Sequence, residues 1–472
     1  MAMALRVRLI SLLMLMALAS LGQASAAPKR EFRGAWIQTI YQGYDRRTTD
    51  ENRAYLTGLL DELHGAGINV VFFQVRPRAD ALYRSSIEPW SRFLTGEVGK
   101  APSPEWDPLQ FMVDEAHARG MELHAWINPY RAATVEESET LPPTDLLKKE
   151  PSRFLRYGKG YYFVPSLQKN RDYICLVVKD IVERYEVDGI HFDDYFYPYP
   201  EKGLAFPDAK DYAAAKTSLS LADWRRRNVD LLIEQVSVML DTVKPWIRFG
   251  ISPFGIWRNA RKDPRGSKTN GLSNFDDLYA DVPMWAEKGW IDYQIPQLYW
   301  QMDHKVAPYR ELAPWWARNS RGRHVYIGQD AENIMKFDEL DVKLRMAGNV
   351  DGNCWWYAAS LKGLAPKLRK SAYACQALVP AYPWKKVDPA SRPLHLRYHL
   401  GRLRWAADPS ASKWVVYRFD SDAEVDIENP AAICAVTYSA AYVPTSPGVY
   451  VVTALDRANG ESVPSSPIKI DL

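Results

Sequence analysis

The chain has 472 residues, of which 25% are charged and 47% are hydrophobic, and its formal net charge is +3. This length is enough for one large domain of roughly 250–400 residues plus a small one. Basic residues are spread along the chain without runs, which excludes a dedicated nucleic-acid surface. Seventeen Trp and 27 Tyr exceed what a core of this size requires. Flat aromatic rings of this kind also stack on the faces of sugars.

The first 26 residues have the pattern of a secretory signal peptide. Arg6 and Arg8 precede an apolar run at 9–21, and small residues at 24–26 form a cleavage site. No Cys lies near that site to carry a lipid, and no later apolar run is long enough to span a membrane. We therefore expect a periplasmic or secreted protein with no integral membrane segment after signal removal.

Short β-rich runs and longer helical patterns alternate eight times between residues 31 and 376. The predicted strands are 32–39, 68–75, 121–128, 187–194, 247–254, 291–298, 324–328 and 352–358. The predicted helices include 51–65, 107–119, 171–186, 222–243, 276–288, 335–347 and 361–376. Eight β-then-α units imply parallel strands that close into a (β/α)8 TIM barrel, expected at 28–378. A doubly wound sheet is the alternative, but no glycine-rich phosphate loop follows the first strand.

After residue 378 the pattern becomes all-β. We expect a proline-rich linker at 379–393 and a small β-sandwich at 394–472, where turns break short alternating runs about every 8–12 residues. The stretches around Trp405 and 415–419 resemble a fibronectin type III module.

The four cysteines, at 175, 354, 375 and 434, lack the spacing of a zinc site. Neither a metal nor an organic cofactor is expected. An oxidising compartment permits disulfides, and Cys354 with Cys375 is the first pair to examine. Small buried thiols are the alternative.

The stretch VDGIHFDD at 187–194 ends a predicted strand with two adjacent carboxylates. Side chains alternate across a strand, so its apolar side chains face the helices while His191 and Asp193 face the barrel interior. Asp193 is then an inward carboxylate at the end of the barrel where such enzymes keep their chemistry. Asp194 joins it only if the chain turns, which the aromatic and proline residues that follow favour. Asp188, at the lower end, is expected to be structural.

Two carboxyl groups at one site are what glycoside hydrolysis commonly requires. One protonates the leaving oxygen, and the other acts as nucleophile or activates water. We predict Asp193 and Asp194 as this pair. The acids that follow other strand ends are Asp80, Glu88, Asp303 and Asp330. A partner from this group is the alternative, although a loop salt bridge or a helix cap is the favoured explanation for each.

Polar and aromatic side chains mark the other strand ends. Amides and guanidinium groups hydrogen-bond sugar hydroxyls, and rings stack on sugar faces, so together they predict a carbohydrate cleft. The predicted substrate-binding residues are Arg76, Asp80, Trp90, His124, Asn128, Tyr130, Arg131, His191, Tyr195, Ser252, Trp257, Gln297, Tyr299, Trp300 and Trp356.

Seven motifs, in order along the chain, resemble those of the glycosyl-hydrolase-like 10 family. They are FRGAWIQT, FFQVRPRADALYRSSIEPWSRFLTG, HAWINPYR, VDGIHFDDYFYP, ISPFGIWRN, IDYQIPQLYW and HVYIG. The resemblance implies a (β/α)8 glycosidase that acts on bacterial cell-wall glycan, with Asp193 and Asp194 as its catalytic candidates. We therefore predict an exported enzyme that hydrolyses peptide-free peptidoglycan strands, with Asp194 as general acid and Asp193 as nucleophile, base or electrostatic stabiliser. The alternatives are a glycosidase of another polysaccharide and a non-catalytic glycan-binding protein.

A more distant similarity is to the chitinases of glycoside hydrolase family 18. Their D-G-x-D-x-D-x-E pattern places three acids on one strand face, where this chain has His191, Asp193 and Tyr195. Tyr195 replaces the terminal Glu that serves as acid, which argues against chitinase-type catalysis. A further hypothesis makes the C-terminal module a docking site for an envelope or division protein. Under this hypothesis, deletion of 385–472 changes localisation without abolishing hydrolysis.

Overall fold

The computed structural model describes residues 27–472, so the predicted signal peptide at 1–26 lies outside the described residues. Eight parallel strands close into a barrel, in which each strand pairs with its neighbours in the chain and the first pairs with the last. The strands are β1 (Phe32–Ile37), β2 (Val70–Arg76), β3 (Glu122–Ile127), β4 (Gly189–Phe192), β5 (Arg248–Ile251), β6 (Tyr293–Gln294), β7 (His324–Asp330) and β8 (Gly352–Trp356). The predicted TIM barrel is confirmed.

Helices surround the barrel and cover its loops. The α-helices are Thr49–Gly65, Arg92–Thr95, Pro108–Ala118, Val135–Thr140, Leu146–Lys149, Gln168–Arg184, Ala209–Ala214, Leu221–Val243, Asn274–Asp277, Val282–Glu287, Tyr309–Arg318, Ala331–Phe337, Leu340–Met346 and Ala365–Lys370. Turns of 3-10 helix lie at Tyr44–Arg46, Pro151–Arg153, Ala347–Asn349, Ala358–Gly363, Asp422–Glu424 and Pro430–Ala432. Over residues 27–472, no helix has the length and apolar character needed to cross a bilayer.

Two of the predicted helices are broken by local backbone features. The stretch 276–288 forms two short helices, because Tyr279 takes a left-handed φ of 55° and Pro283 lies in the first turn of the second helix. The stretch 335–347 is interrupted at Asp338, which ends one helix with a φ of 50°. Neither break carries a glycine. Pro283 is a sequence signal for the first break, whereas nothing in the sequence signals the break at Asp338.

Prolines shorten two barrel strands relative to the prediction. Pro253 and Pro296 follow β5 and β6 and lack the N–H that a strand ladder needs. The chain stays aligned beyond them because Gln297 forms isolated parallel bridges with Phe254 and Gly328. Gln297 is thereby held at the C-terminal end of the barrel.

Aromatic rings fill the barrel interior. The side chains of Phe72, His124 and Tyr293 are fully buried there. A Cβ atom on Gly189 would lie 2.5 Å from the His124 ring, and one on Gly250 would lie 2.0 Å from the Tyr293 ring. These two glycines are required because the rings occupy the space that any larger side chain would need.

None of the four cysteines forms a disulfide. Cys354 is fully buried inside the barrel, which confirms the buried-thiol alternative for this residue, while Cys375 is partly exposed. Cys354 and Cys375, the first pair to examine for a disulfide, are not bonded to each other in this structure.

Two antiparallel sheets follow the barrel. One contains β11 (Ala411–Phe419), β12 (Ile433–Thr437), β14 (Gly448–Asp456) and β15 (Ile468–Ile470), and the other contains β9 (Arg397–His399), β10 (Arg402–Arg404) and β13 (Ala441–Tyr442). Leu403 and Trp405 pack with Trp414 and Val416 in one apolar cluster that joins the sheets. The predicted all-β region is confirmed, and its likeness to fibronectin type III stays a prediction.

The expected linker at 379–393 packs against the N-terminal end of the barrel. Tyr382 is fully buried, and its hydroxyl lies 2.8 Å from the hydroxyl of Tyr326. Asp292 accepts a hydrogen bond from Trp384 at 2.7 Å and pairs with Lys385 at 2.8 Å. This segment is therefore part of the packed structure rather than a free tether.

Asp188 makes one link between the barrel and the C-terminal sheets. Its carboxylate lies 2.9 Å from His117 and accepts a hydrogen bond from the hydroxyl of Tyr438 at 3.2 Å. The rings of His117 and Tyr438 stack with centroids 3.9 Å apart. The predicted structural role of Asp188 is confirmed.

A buried ion cluster makes another link between the barrel and the C-terminal sheets. Glu122, at the start of β3, is fully buried and accepts hydrogen bonds from Lys413, from Arg248 at 3.3 Å and from Asn459 at 2.9 Å. Burial alone would raise the pKa of Glu122, but the charges of Arg248 and Lys413 hold it well below its ordinary value. Lys413 and Asn459 belong to the C-terminal region. Deletion of 385–472 would therefore remove two of the hydrogen-bond partners of the buried Glu122 carboxylate. We therefore expect that deletion to destabilise the barrel itself.

We predict that Lys413→Met lowers the free energy of unfolding by about 3–5 kcal/mol, because it removes one partner of a buried charge. Lys469→Met is the matched control, since Lys469 lies in the same four-stranded sheet but its side chain is 73% exposed. Urea unfolding followed by circular dichroism measures both variants. Equal losses in the two variants would show that the buried cluster does not hold the sheets to the barrel.

Candidate active site

A cavity of about 170 Å³ opens at the C-terminal end of the barrel. It is lined by Trp36, Trp126, Asp193, Tyr195, Ser252, Gln297, Tyr299 and Trp356. Six of these are predicted site residues, so the structure brings together residues from four separate strand ends. The rings of Trp36 and Trp126 meet the ring of Trp356 edge-on, with centroids 6.4 and 6.2 Å apart.

Trp36 and Trp126 are site residues that the sequence analysis missed. Both lie inside predicted strands, where an aromatic side chain is usually core. The alternation that selects Asp193 would also have selected them, because Trp36 shares a strand face with Phe32 and Trp126 shares one with His124. A search for inward-facing residues nearest the C-terminal end of each strand would have found both tryptophans.

Asp193 is the carboxylate that faces the cavity. Its Oδ2 accepts a hydrogen bond from the indole N–H of Trp126 at 3.2 Å, and its Oδ1 accepts one from the amide of Gln297 at 3.3 Å. The backbone N–H of Asp194 also donates to Oδ1 at 2.9 Å. Donors thus converge on both oxygens, which suits a carboxylate that only accepts. The predicted inward direction of Asp193 is confirmed.

Asp194 is buried beside Asp193 and does not line the cavity. Burial and the negative charge of Asp193 raise the pKa of Asp194 well above its usual range. The hydroxyl of Tyr199 donates a short hydrogen bond to Oδ2 of Asp194. Asp194 therefore has the proton that a general acid needs, but its side chain has no direct access to the sugar.

Tyr195 and Arg131 form an adjoining wall. The guanidinium group of Arg131 lies 3.5 Å from the centre of the Tyr195 ring, a stacked cation–π contact. Burial and the neighbouring carboxyl groups of Asp194 and Asp193 raise the pKa of Tyr195, so its hydroxyl keeps its proton at neutral pH. A hydrogen-bond donor thus stands where the family 18 pattern has its Glu.

His191 supports the cavity from below. Its Nε2 accepts a hydrogen bond from the indole N–H of Trp36 at 3.2 Å and lies 3.0 Å from the hydroxyl of Ser252. Burial lowers the pKa of His191 well below its usual value, so the ring is neutral. His191 is fully buried and orients two cavity residues, rather than contacting substrate as the sequence analysis expects.

Four predicted substrate residues, Arg76, His124, Asn128 and Tyr130, are enclosed in the protein. Arg76 forms a buried salt bridge with Glu88 at 2.7 Å and donates to the backbone carbonyl of Asn128 at 2.7 Å. A register shift between Gln74 and Arg76 in β2 breaks the alternation that would direct Arg76 inward. The structure gives these side chains packing roles.

Four others lie outside the cavity, in the loops around it. Trp257 stacks on Trp315 with centroids 5.6 Å apart, and Trp300 packs edge-on against Phe254 at 5.2 Å. Trp90 follows β2 and is partly buried. Asp80 lines a separate small pocket, where burial raises its pKa to about 6.

The alternative catalytic partners have structural roles, apart from Asp80. Glu88 pairs with Arg76 as described, and Asp303 accepts from Arg310 at 2.7 Å. Asp330 caps a helix by accepting the backbone N–H of Asn333 at 2.9 Å. The salt-bridge and cap explanations are confirmed for these three acids.

Across residues 27–472, no three acidic, His or Cys side chains cluster as metal ligands.

Comparison with known proteins agrees with this arrangement. The profile of the family described as Glycosyl hydrolase-like 10 matches residues 31–343. Glycosyl hydrolase YngK of Bacillus subtilis is 38% identical over 396 residues, which cover 76% of this chain and 75% of that protein. Glycosyl hydrolase DigH of Escherichia coli is 42% identical over 282 residues, 57% of this chain and 63% of that protein, so the match spans less than two thirds of DigH.

Among solved structures, the glycoside hydrolase domain of PgaB (BpsB) from Bordetella bronchiseptica matches with a TM-score of 0.48 and 14% identity, covering 72% of this chain and 98% of that domain. The family profile and the named relatives make this protein a glycosidase with a TIM-barrel fold. The chain belongs to the glycosyl hydrolase-like 10 family.

We predict that Asp194→Asn becomes more stable relative to the wild type as the pH rises from about 5 to 9. A carboxyl group with a raised pKa in the folded state stabilises the fold below its ordinary pKa, and this contribution is lost as the pH rises through the folded-state pKa. Asn cannot ionise and keeps the same shape. Thermal unfolding across the pH series measures the difference.

Asp303→Asn is the matched control for this series, because the Asp303 side chain is 72% exposed. Its stability should follow that of the wild type at every pH. Parallel profiles for Asp194→Asn and the wild type would mean that Asp194 is ionised in the folded protein.

Proposed function

We propose that the protein is exported through the signal peptide at 1–26 and hydrolyses a bacterial cell-wall glycan, with peptide-free peptidoglycan strands as the substrate. The observation that carries the proposal is Asp193, which lines a cavity walled by three tryptophans and has the buried Asp194 beside it. A charged and a neutral carboxyl group side by side suit proton transfer, and indole rings suit the faces of sugar rings. The family resemblance of seven ordered motifs supports the choice of glycan.

The two carboxyl groups would act as one unit that shares a proton. A pair that flanks the scissile bond is about 5–5.5 Å apart in retaining enzymes and farther apart in inverting ones. Asp193 and Asp194 are adjacent in the chain, and the backbone N–H of Asp194 donates to Oδ1 of Asp193, so the pair would lie on one side of the sugar. The proton of Asp194 would pass to Asp193 and from there to the leaving oxygen. Because two adjacent ionised carboxylates repel, the pair would then take a proton from the attacking water.

Other cavity residues would position the sugar during this transfer. The amide of Gln297 and the indole N–H of Trp126 hold the Asp193 carboxylate in one orientation. The protonated hydroxyl of Tyr195 is available as a donor to a sugar oxygen. Groups fixed in advance in this way lower the barrier because they need no reorganisation during the reaction.

The mature protein is expected to release new reducing ends from peptide-free glycan strands. Asp193→Asn and Asp194→Asn should each lower kcat by about 10²- to 10⁴-fold, the size of a lost acid–base group. Asp303→Asn, a substitution of the same type at an exposed salt bridge, should keep wild-type activity. A reducing-end assay under saturating substrate measures all four proteins.

The same reducing-end assay with chitin and other polysaccharides as substrates identifies which glycan the protein hydrolyses. New reducing ends from another polymer, with none from peptidoglycan strands, would show that the proposed substrate is wrong. Full activity in both Asp193→Asn and Asp194→Asn would remove the pair from the mechanism.

A further inference from the structure

A second and larger cleft lies on the same face of the barrel as the catalytic cavity. Its volume is about 790 Å³, compared with about 170 Å³ for the cavity. It is formed by residues 41–46, 92–96 and 134–139, which follow β1, β2 and β3, together with Lys159. Ligand sites typically measure about 300–1,000 Å³, so the cavity alone accommodates only part of a polymer, whereas the cleft has the size of a full binding site.

Tyr41 presents its ring to solvent at this cleft. The side chain is 75% exposed, more than any other aromatic side chain in residues 27–472. Its backbone has a left-handed φ of 56°, which is uncommon for a residue other than glycine. Phe93 packs against the ring at 79° with centroids 5.3 Å apart and so holds it in place. An exposed ring held by a strained backbone indicates a binding role.

The charges around Tyr41 indicate what this cleft would bind. The acidic residues that line it are Asp45, Glu136, Glu137 and Glu139, and the basic ones are Arg46, Arg92 and Lys159. Charges of both signs do not favour a strongly charged polymer, which would be repelled by one set. Carboxylates accept hydrogen bonds and guanidinium and ammonium groups donate them, so this mixture suits a chain rich in hydroxyl groups.

A single short strand connects the cleft with the catalytic cavity. Arg131 begins the strand Arg131–Thr134 and stacks on Tyr195, which lines the cavity. Thr134 ends the strand and lines the cleft. At a strand rise of about 3.3 Å per residue, the two ends lie about 10 Å apart, a span that a few sugar units cover.

We propose that this cleft is a distal binding subsite for the glycan chain, in which Tyr41 stacks on a sugar ring while the scissile bond lies at Asp193. The inference rests on the proposed function and extends it to the length of substrate that the enzyme selects. Contacts this far from the reacting bond strengthen the binding of long strands. Short oligosaccharides that fill only the cavity gain nothing from them.

Tyr41→Ala is expected to raise KM for long peptide-free strands about tenfold, the size of one lost aromatic contact. The kcat should stay unchanged, as should KM for the shortest oligosaccharide that the wild type cleaves. Tyr41→Phe should retain the wild-type KM because it keeps the ring. Phe337→Ala is the matched control, since Phe337 is the other exposed aromatic of the described residues, at 39%, and does not line the cleft.

Binding measured without turnover separates this inference from the proposed function. In the full-length Asp193→Asn protein, adding Tyr41→Ala should weaken binding of long strands about tenfold in calorimetry. If the wild type released no reducing ends, hydrolysis would fail as a function, yet this weaker binding would still support the subsite. The inference is overturned if Tyr41→Ala binds long strands as the parent does, or loses equal affinity for the shortest oligosaccharide.

Discussion

The limited space inside the barrel governs the architecture of the site. The interior holds a layer of aromatic rings, and it does so only because glycine stands opposite some of them, as Gly189 does opposite His124. That layer supports His191, which in turn holds the indole of Trp36 and the hydroxyl of Ser252. The walls of the cavity are therefore set by packing before any substrate arrives. A preorganised site of this kind loses little energy to rearrangement when substrate binds.

Two buried carboxyl groups in this protein show opposite electrostatic outcomes. Glu122 is surrounded by Arg248 and Lys413, so it is ionised and joins the barrel to the C-terminal sheets. Asp194 lies next to another carboxylate and keeps its proton. Burial by itself favours the protonated form of both groups. The sign of the neighbouring charge then decides whether each carboxyl group is ionised or protonated. The first arrangement serves stability, whereas the second provides a proton at the cavity.

The strands were predictable because their signal is local. Alternation of side chains along β4 placed Asp193 inward from the sequence alone, and the structure agrees. The alternation fails where the backbone is irregular, as at the register shift that removes Arg76 from the interior. Helix ends at Tyr279 and Asp338 were also missed, because nothing in their composition announces a left-handed φ.

The sequence by itself determined the eight-unit barrel, the all-β C-terminal region and the inward position of Asp193. These depend on periodicity and on turn residues that are close together in the chain. Only the tertiary structure decided that Asp194 is buried and protonated. It also decided that the indole of Trp126 donates a hydrogen bond to Asp193 and that Lys413 pairs with the buried Glu122. Each of these depends on contacts between segments far apart in the chain, and local patterns carry no record of which segments meet.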